Sequence, residues 1–168
     1  HFAGAGHLAI DYAKLMRVGY NGLIENAKAG LEKLDKRDPE YGDKRDTYQA
    51  MIIMHEAAKK YIMRYAKLAD EYAAKEQDPV RKKELEAMAD NFHQIAGGVP
   101  KTFWQAMQLF NIATTLIQVE SNGHSISYGR MDQWLYPYYE ADMKNGTITK
   151  EFVLELIEVE YVKMNNPT

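Results

Sequence analysis

The sequence predicts a mainly α-helical chain, with at most short extended segments near residues 8–10 and 124–128. Three observations carry this. Apolar residues recur at steps of three and four over most of the 168 residues. Residues suited to capping helices stand ahead of several of these runs. Glycine, proline and asparagine punctuate the joints between them. No period of 20 to 50 residues repeats and no low-complexity segment appears. A chain of this length is expected to form one core, and so a single domain over 1–168.

Leu8-Ala9-Ile10 reads as a short apolar extended segment. Asp11 then stands as N-cap of a first helix to about Leu34, with Tyr12, Leu15, Met16, Leu23, Ile24, Ala27 and Leu31 at helical spacing. Gly19, Gly22 and Gly30 inside it each cost about 1 kcal/mol against alanine, which predicts close packing or a kink. The charged turn Asp35 to Asp43 precedes a second helix, about Lys44 to Lys75, in which Met51, His55, Ala58, Ile62, Tyr65, Ala69 and Tyr72 repeat. At ~1.5 Å per residue it spans about 45 Å, a length that predicts a larger neighbour. Asp78-Pro79 opens a third helix to about Ile95, and Gly97-Gly98-Val99-Pro100 ends it. Thr102 caps a fourth helix whose Phe103, Met107, Phe110, Ile112, Ala113, Leu116, Ile117 and Val119 leave little polar face after Gln108, so burial on most sides is expected. SNGHSISYG (121–129) reads as a loop, or a loop with one short extended segment. Asp132 or the residues near it can start a fifth helix to Lys144. Pro137 is tolerated if it lies in the first turn, which would place the start near Leu135 and leave Asp132 in the loop. After the Asn145-Gly146 turn, Thr149 begins a last helix, Lys150 to Met164.

The formal net charge of -3, from 21 basic and 24 acidic residues without long runs of one sign, recommends neither nucleic acid nor an anionic membrane as partner. The longest apolar run, Ala50 to Met54, is far short of the ~20 residues that cross a bilayer, and no leader opens the chain, so a cytoplasmic location is expected. With no cysteine there are no disulfides, thiolate nucleophiles or thiolate metal sites. His55 and His93 each lack a second ligand at the i+4 position, so no metal site is expected. The chain starts at His1 rather than methionine and stops at Asn166-Pro167-Thr168, and both ends read as cut, although processing that removes a start methionine fits the first equally well.

Tyr136-Pro137-Tyr138-Tyr139 reads as packing, with hydroxyls led to partners. Asn122 to Gln133 differs in kind: a histidine, three hydroxyls, an arginine and an aspartate directly follow a buried helix, where a scaffold presents polar groups to a small ligand. Hydrogen bonds that merely stabilise the loop fit the same composition equally well. Gly4-Ala5-Gly6-His7 has a similar character, although a lone histidine beside an apolar segment reads first as a core-edge residue.

Several segments, in order, resemble the dehydratase-type and lyase-type branch of the pyruvate formate-lyase superfamily, the glycyl radical enzymes. They are Gly6-His7 with Asp11-Tyr12-Ala13-Lys14-Leu15 and Gly19, Val99 to Ala106, Glu120 to Ser127, Gly129-Arg130, Asp132-Gln133, and Tyr136 to Tyr139. The block GHSISYGRMDQ, Gly123 to Gln133, is the most specific. The resemblance implies an internal helical fragment, a partial domain, of a ten-stranded α/β barrel wrapped in helices. It also implies substrate-binding roles for His7, His124 and one or both of Ser125 and Ser127, which resemble residues that hydrogen-bond substrate hydroxyls in glycerol dehydratases. Asp132 resembles a pocket aspartate of hydroxyproline dehydratases. His7 and His124, with 116 residues between them, should lie within one small ligand's reach, about 10 Å.

The family's thiyl cysteine, its neighbouring glutamate and its glycine-radical motif have no match in this chain, so it is expected to hold no catalytic residue and to be silent alone. The parent implied is a radical dehydratase or lyase acting on a small hydroxylated substrate. Its glycyl radical would be installed by a radical SAM activating enzyme, its partner. Formate acetyltransferase chemistry and a non-catalytic helical scaffold are the alternatives. Pyruvate formate-lyase itself resembles the chain less, because its loop lacks the Gly-His-Ser element. An exposed apolar flank on the fourth helix is expected to favour homo-oligomers.

Overall fold

The computed structural model describes residues 8–121 and 126–164. Their order is β1 (Leu8–Ala9), α1 (Tyr12–Glu32), α2 (Tyr41–Lys75), α3 (Pro79–Ile95), α4 (Phe103–Ser121), β2 (Ile126–Ser127), α5 (Met131–Asn145) and α6 (Lys150–Met164). The mainly helical architecture and the two short extended segments are as the sequence predicts. Among the described residues, no helix is long and apolar enough to cross a membrane. The chain gathers into two compact units, one formed by the segments up to Met16 and from Pro100 onward, the other by Arg17–Val99.

In the contiguous unit, α2 runs for 35 residues and buries Ala58, Ile62, Ala66, Ala69 and Ala73. Small side chains along that row let α3 approach closely, with Leu85, Ala89, Phe92 and Ile95 buried on its side. Asp78 caps α3 as predicted, accepting from the Val80 and Arg81 amides at 2.8 and 3.1 Å, with Pro79 in the first turn. Such a cap contributes about 1 kcal/mol. The expected kink in α1 falls at Gly19, whose φ of 61° and ψ of 179° interrupt the helix. A β-carbon there would stand 2.6 Å from the Gly98 carbonyl oxygen, so only glycine fits this approach. At Gly30 it would meet the Tyr48 ring at 2.5 Å.

In the discontinuous unit, α5 and α6 pack on α4. No residue of α4 is exposed from Phe103 to Gln118, which agrees with the burial expected of this helix. Thr102 accepts from the Gln105 amide at 3.2 Å, and the Phe103 amide is taken by Asp142 of α5 at 2.7 Å. Thr149 caps α6 through the Phe152 amide at 3.2 Å.

Two expectations are corrected. The fifth helix starts at Met131, beside Asp132 and not near Leu135 as the proline alone suggests, so Asp132 lies in its first turn and Pro137 in its interior. Pro137 leaves the Gln133 carbonyl without its helical partner, but both residues are exposed and water can serve that oxygen. The longer helix also buries Leu135 and half-buries Trp134. The exposed apolar flank expected on α4 is confined, among its described side chains, to Val119, while further open apolar side chains stand on α2 and α6, where Ile53 and Val162 are 70% and 69% exposed.

Candidate functional site

β1 and β2 pair in parallel, Leu8 with Ile126 and Ala9 with Ser127. The long connection through four helices permits the parallel sense, which a tight turn does not. The pairing brings the two candidate segments of the sequence side by side. Ser127 is exposed opposite Ala9. His7, His124 and Ser125 lie outside the described residues. His7 immediately precedes β1, and His124-Ser125 immediately precede β2.

Asp132 is exposed at the start of α5 and holds Arg130 in a bidentate pair, Nε to Oδ1 at 2.9 Å and Nη2 to Oδ2 at 2.7 Å. The guanidinium keeps the Asp132 carboxyl below its ordinary range. At neutral pH this group therefore accepts hydrogen bonds and donates none. Asp132 stands on the rim of an open groove of about 470 Å³ between α5 and α6, lined largely by apolar groups including Phe103, Leu135, Tyr139 and Ile157. Among the described residues, no three His, Asp or Glu side chains converge to hold a metal ion. His93 pairs with Asp70 at 2.9 Å, and the His55 ring lies 5.9 Å from that of Tyr20.

The tyrosine cluster divides. Tyr138 donates to the Met16 carbonyl at 3.1 Å and Tyr139 packs edge-on against Phe103 at 6.3 Å, whereas Tyr136 is exposed on the groove.

Sequence reasoning missed a buried cluster behind the paired strands. Thr114 donates to the Phe110 carbonyl at 2.9 Å, which spends its one proton, so Tyr12 is the donor in the 2.7 Å bond between the two hydroxyls. Burial pushes the Tyr12 hydroxyl up to about 12, and burial followed by the nearby Glu160 charge raises that of Tyr128. Glu160 of α6 is itself buried and accepts from the Asn111 amide at 3.0 Å. Burial raises its carboxyl above the ordinary value, and the Asn111 bond only partly offsets this. The available signal was Asn111 and Thr114, three residues apart and so on one face of a helix that also carries many apolar residues.

Comparison with known proteins places this geometry. A family model described as pyruvate formate lyase-like matches residues 1–168. The (2S)-3-sulfopropanediol dehydratase of Klebsiella oxytoca is 81% identical over 168 residues, covering 100% of this chain and 20% of that protein. The glycerol-bound B12-independent glycerol dehydratase from Clostridium butyricum superposes with a TM-score of 0.87 at 45% identity, over 93% of this chain and 20% of its own. A structure concerned with 1,2-propanediol dehydration in Roseburia inulinivorans gives a TM-score of 0.94 at 37% identity, over 98% and 20%. The chain thus spans about a fifth of the length of the relatives it matches.

Proposed function

Because this chain belongs to the pyruvate formate lyase-like family, we propose that it is the substrate-holding stretch of a glycyl radical enzyme that eliminates a group from a small hydroxylated substrate. The 81% identity across the whole chain favours (2S)-3-sulfopropanediol as that substrate and loss of water as the reaction. The observation that carries the reading is the pairing of β1 with β2, since it joins the segment led by His7 to the segment that contains His124, Ser125 and Ser127.

In this reading the two imidazoles and the serine hydroxyls orient the substrate's hydroxyl groups. An imidazole suits this place because it holds or gives up a proton near neutral pH, and a departing hydroxyl needs one. Asp132, kept ionised by Arg130, accepts a hydrogen bond from the substrate. A glycyl radical on the parent polypeptide, installed by a radical SAM activating enzyme, supplies the hydrogen-abstracting chemistry. Residues 1–168 contain no cysteine and so supply no thiyl group to it. Their task is position, which governs rate strongly when a reactive centre must meet one particular C–H bond. A homo-oligomeric parent is consistent with the apolar surface left on α6.

Calorimetric titration of the unactivated full-length polypeptide with (2S)-3-sulfopropanediol tests the reading. His7→Asn and His124→Asn should each weaken binding at least tenfold. Unchanged affinity in both variants refutes it.

A further inference from the structure

A parallel pair of two residues per strand has few hydrogen bonds to hold its register. A slip of one residue would turn each side chain to the opposite face. The register is referenced instead to one buried ring of α4. Tyr12, three residues past β1, meets Phe110 edge-on at 5.0 Å, and Tyr128, the residue after β2, meets the same ring edge-on at 5.1 Å. Trp134 of α5 completes the group, stacked on Tyr12 at 5.1 Å and tilted against Phe110 at 5.3 Å. The hydroxyl chain from Tyr12 to Thr114 to the Phe110 carbonyl ties the first strand's end to the same helical turn. Moving β2 by one residue carries Tyr128 about 3.3 Å along the strand, enough to break an edge-on ring contact.

We propose that Tyr12 and Tyr128, clamped on Phe110, are positioning residues that set the register of β1 on β2 and through it the place of Ser127 opposite Ala9. This rests on the substrate-holding reading above and extends it to residues that need not touch the substrate. Its specific content is that the ring of Tyr128 matters and its hydroxyl does not.

The test uses the full-length polypeptide. Affinity for (2S)-3-sulfopropanediol is measured calorimetrically on the unactivated protein, KM and kcat are measured after activation, and the thermal midpoint is recorded for each variant. Phe110→Leu and Tyr128→Leu should weaken binding and raise KM at least tenfold, with a smaller fall in kcat. Tyr128→Phe should stay within about twofold of the parent in both. A lowered thermal midpoint with unchanged affinity in both leucine variants overturns the proposal. Equal losses in Tyr128→Phe and Tyr128→Leu overturn it as well, since the ring would then not be the operative part. If Phe110→Leu does not fold, Tyr128→Leu, at a half-buried site, decides the matter alone. Loss of binding in His7→Asn and His124→Asn with none in Tyr128→Leu removes the clamp and leaves the substrate-holding reading standing. Unchanged binding in the two histidine variants removes that reading itself.

Discussion

Asp142 is only 6% exposed, and it receives the Phe103 amide at 2.7 Å and the Thr147 hydroxyl at 3.1 Å. It does for α4 what a residue just ahead of a helix ordinarily does, from 39 positions further along the chain. Asp142→Ala leaves the buried Phe103 amide unserved, while the exposed Thr147 hydroxyl keeps the Asp142 carbonyl; the change should cost about 1–3 kcal/mol, read as a lower thermal midpoint and faster hydrogen exchange in the first turn of α4. Glu160 gives a prediction with a sign. Its carboxyl is raised in the folded state above the ordinary 4.5, so the native protein holds this proton more tightly than the unfolded chain. Its contribution is therefore fully present below the ordinary carboxylate range and lost as pH rises through the raised value. Glu160→Gln should stabilise the protein near neutral pH, with the gain shrinking as the medium is acidified. A denaturation series against pH checks this, and a gain that grows on acidification would contradict it. Neither residue was legible in the sequence as more than a charge on a helix. Thr102 was readable as a cap because its partner, the Gln105 amide, is three residues away; no local spacing encodes a partner on another helix.

At the scale of elements, the helices were legible because what makes them is local. Asp78 with Pro79 and the runs of apolar residues lie within a few turns of what they stabilise. Pro137 misled by the same logic, since its cost was weighed without the burial of Leu135 and Trp134 that a longer α5 provides. Pro137→Ala restores a hydrogen bond in an exposed helix interior, and should slow amide exchange across α5 by an amount corresponding to at most about 3 kcal/mol. Gly19 acts in the opposite direction. Gly19→Ala meets both a positive-φ, extended-ψ backbone that is essentially confined to glycine, costing about 1–3 kcal/mol, and the Gly98 carbonyl at 2.6 Å. It should lower the thermal midpoint more than Gly42→Ala, where a β-carbon meets nothing within 4 Å. The strands were legible as short extended segments but their pairing was not, because each partner is defined by a stretch of chain that carries no sign of the other.

For the molecule as a whole, apolar surface is left open in both units: Met51, Ile53 and Met54 on α2, and Leu154, Val159 and Val162 on α6. Relatives about five times as long supply far more chain to cover such faces. A polypeptide of residues 1–168 alone should therefore self-associate, with a sedimentation coefficient that rises with concentration. A monomer at every concentration would contradict this. The family was legible from the order of its motifs, and the candidate site only in part. Ser127 and Asp132 could be placed on the structure, whereas the cluster behind them depends on Glu160 meeting Asn111 across two helices.

The parallel pairing of β1 with β2 also sets a timetable. Leu8 leaves the ribosome 118 residues before its partner Ile126, an interval on the order of ten seconds at typical elongation rates. The whole of Arg17–Val99 is made within that interval and has every contact of its own unit available. During synthesis the first strand thus waits without its partner, open to a protease or a chaperone, until α4 and β2 emerge.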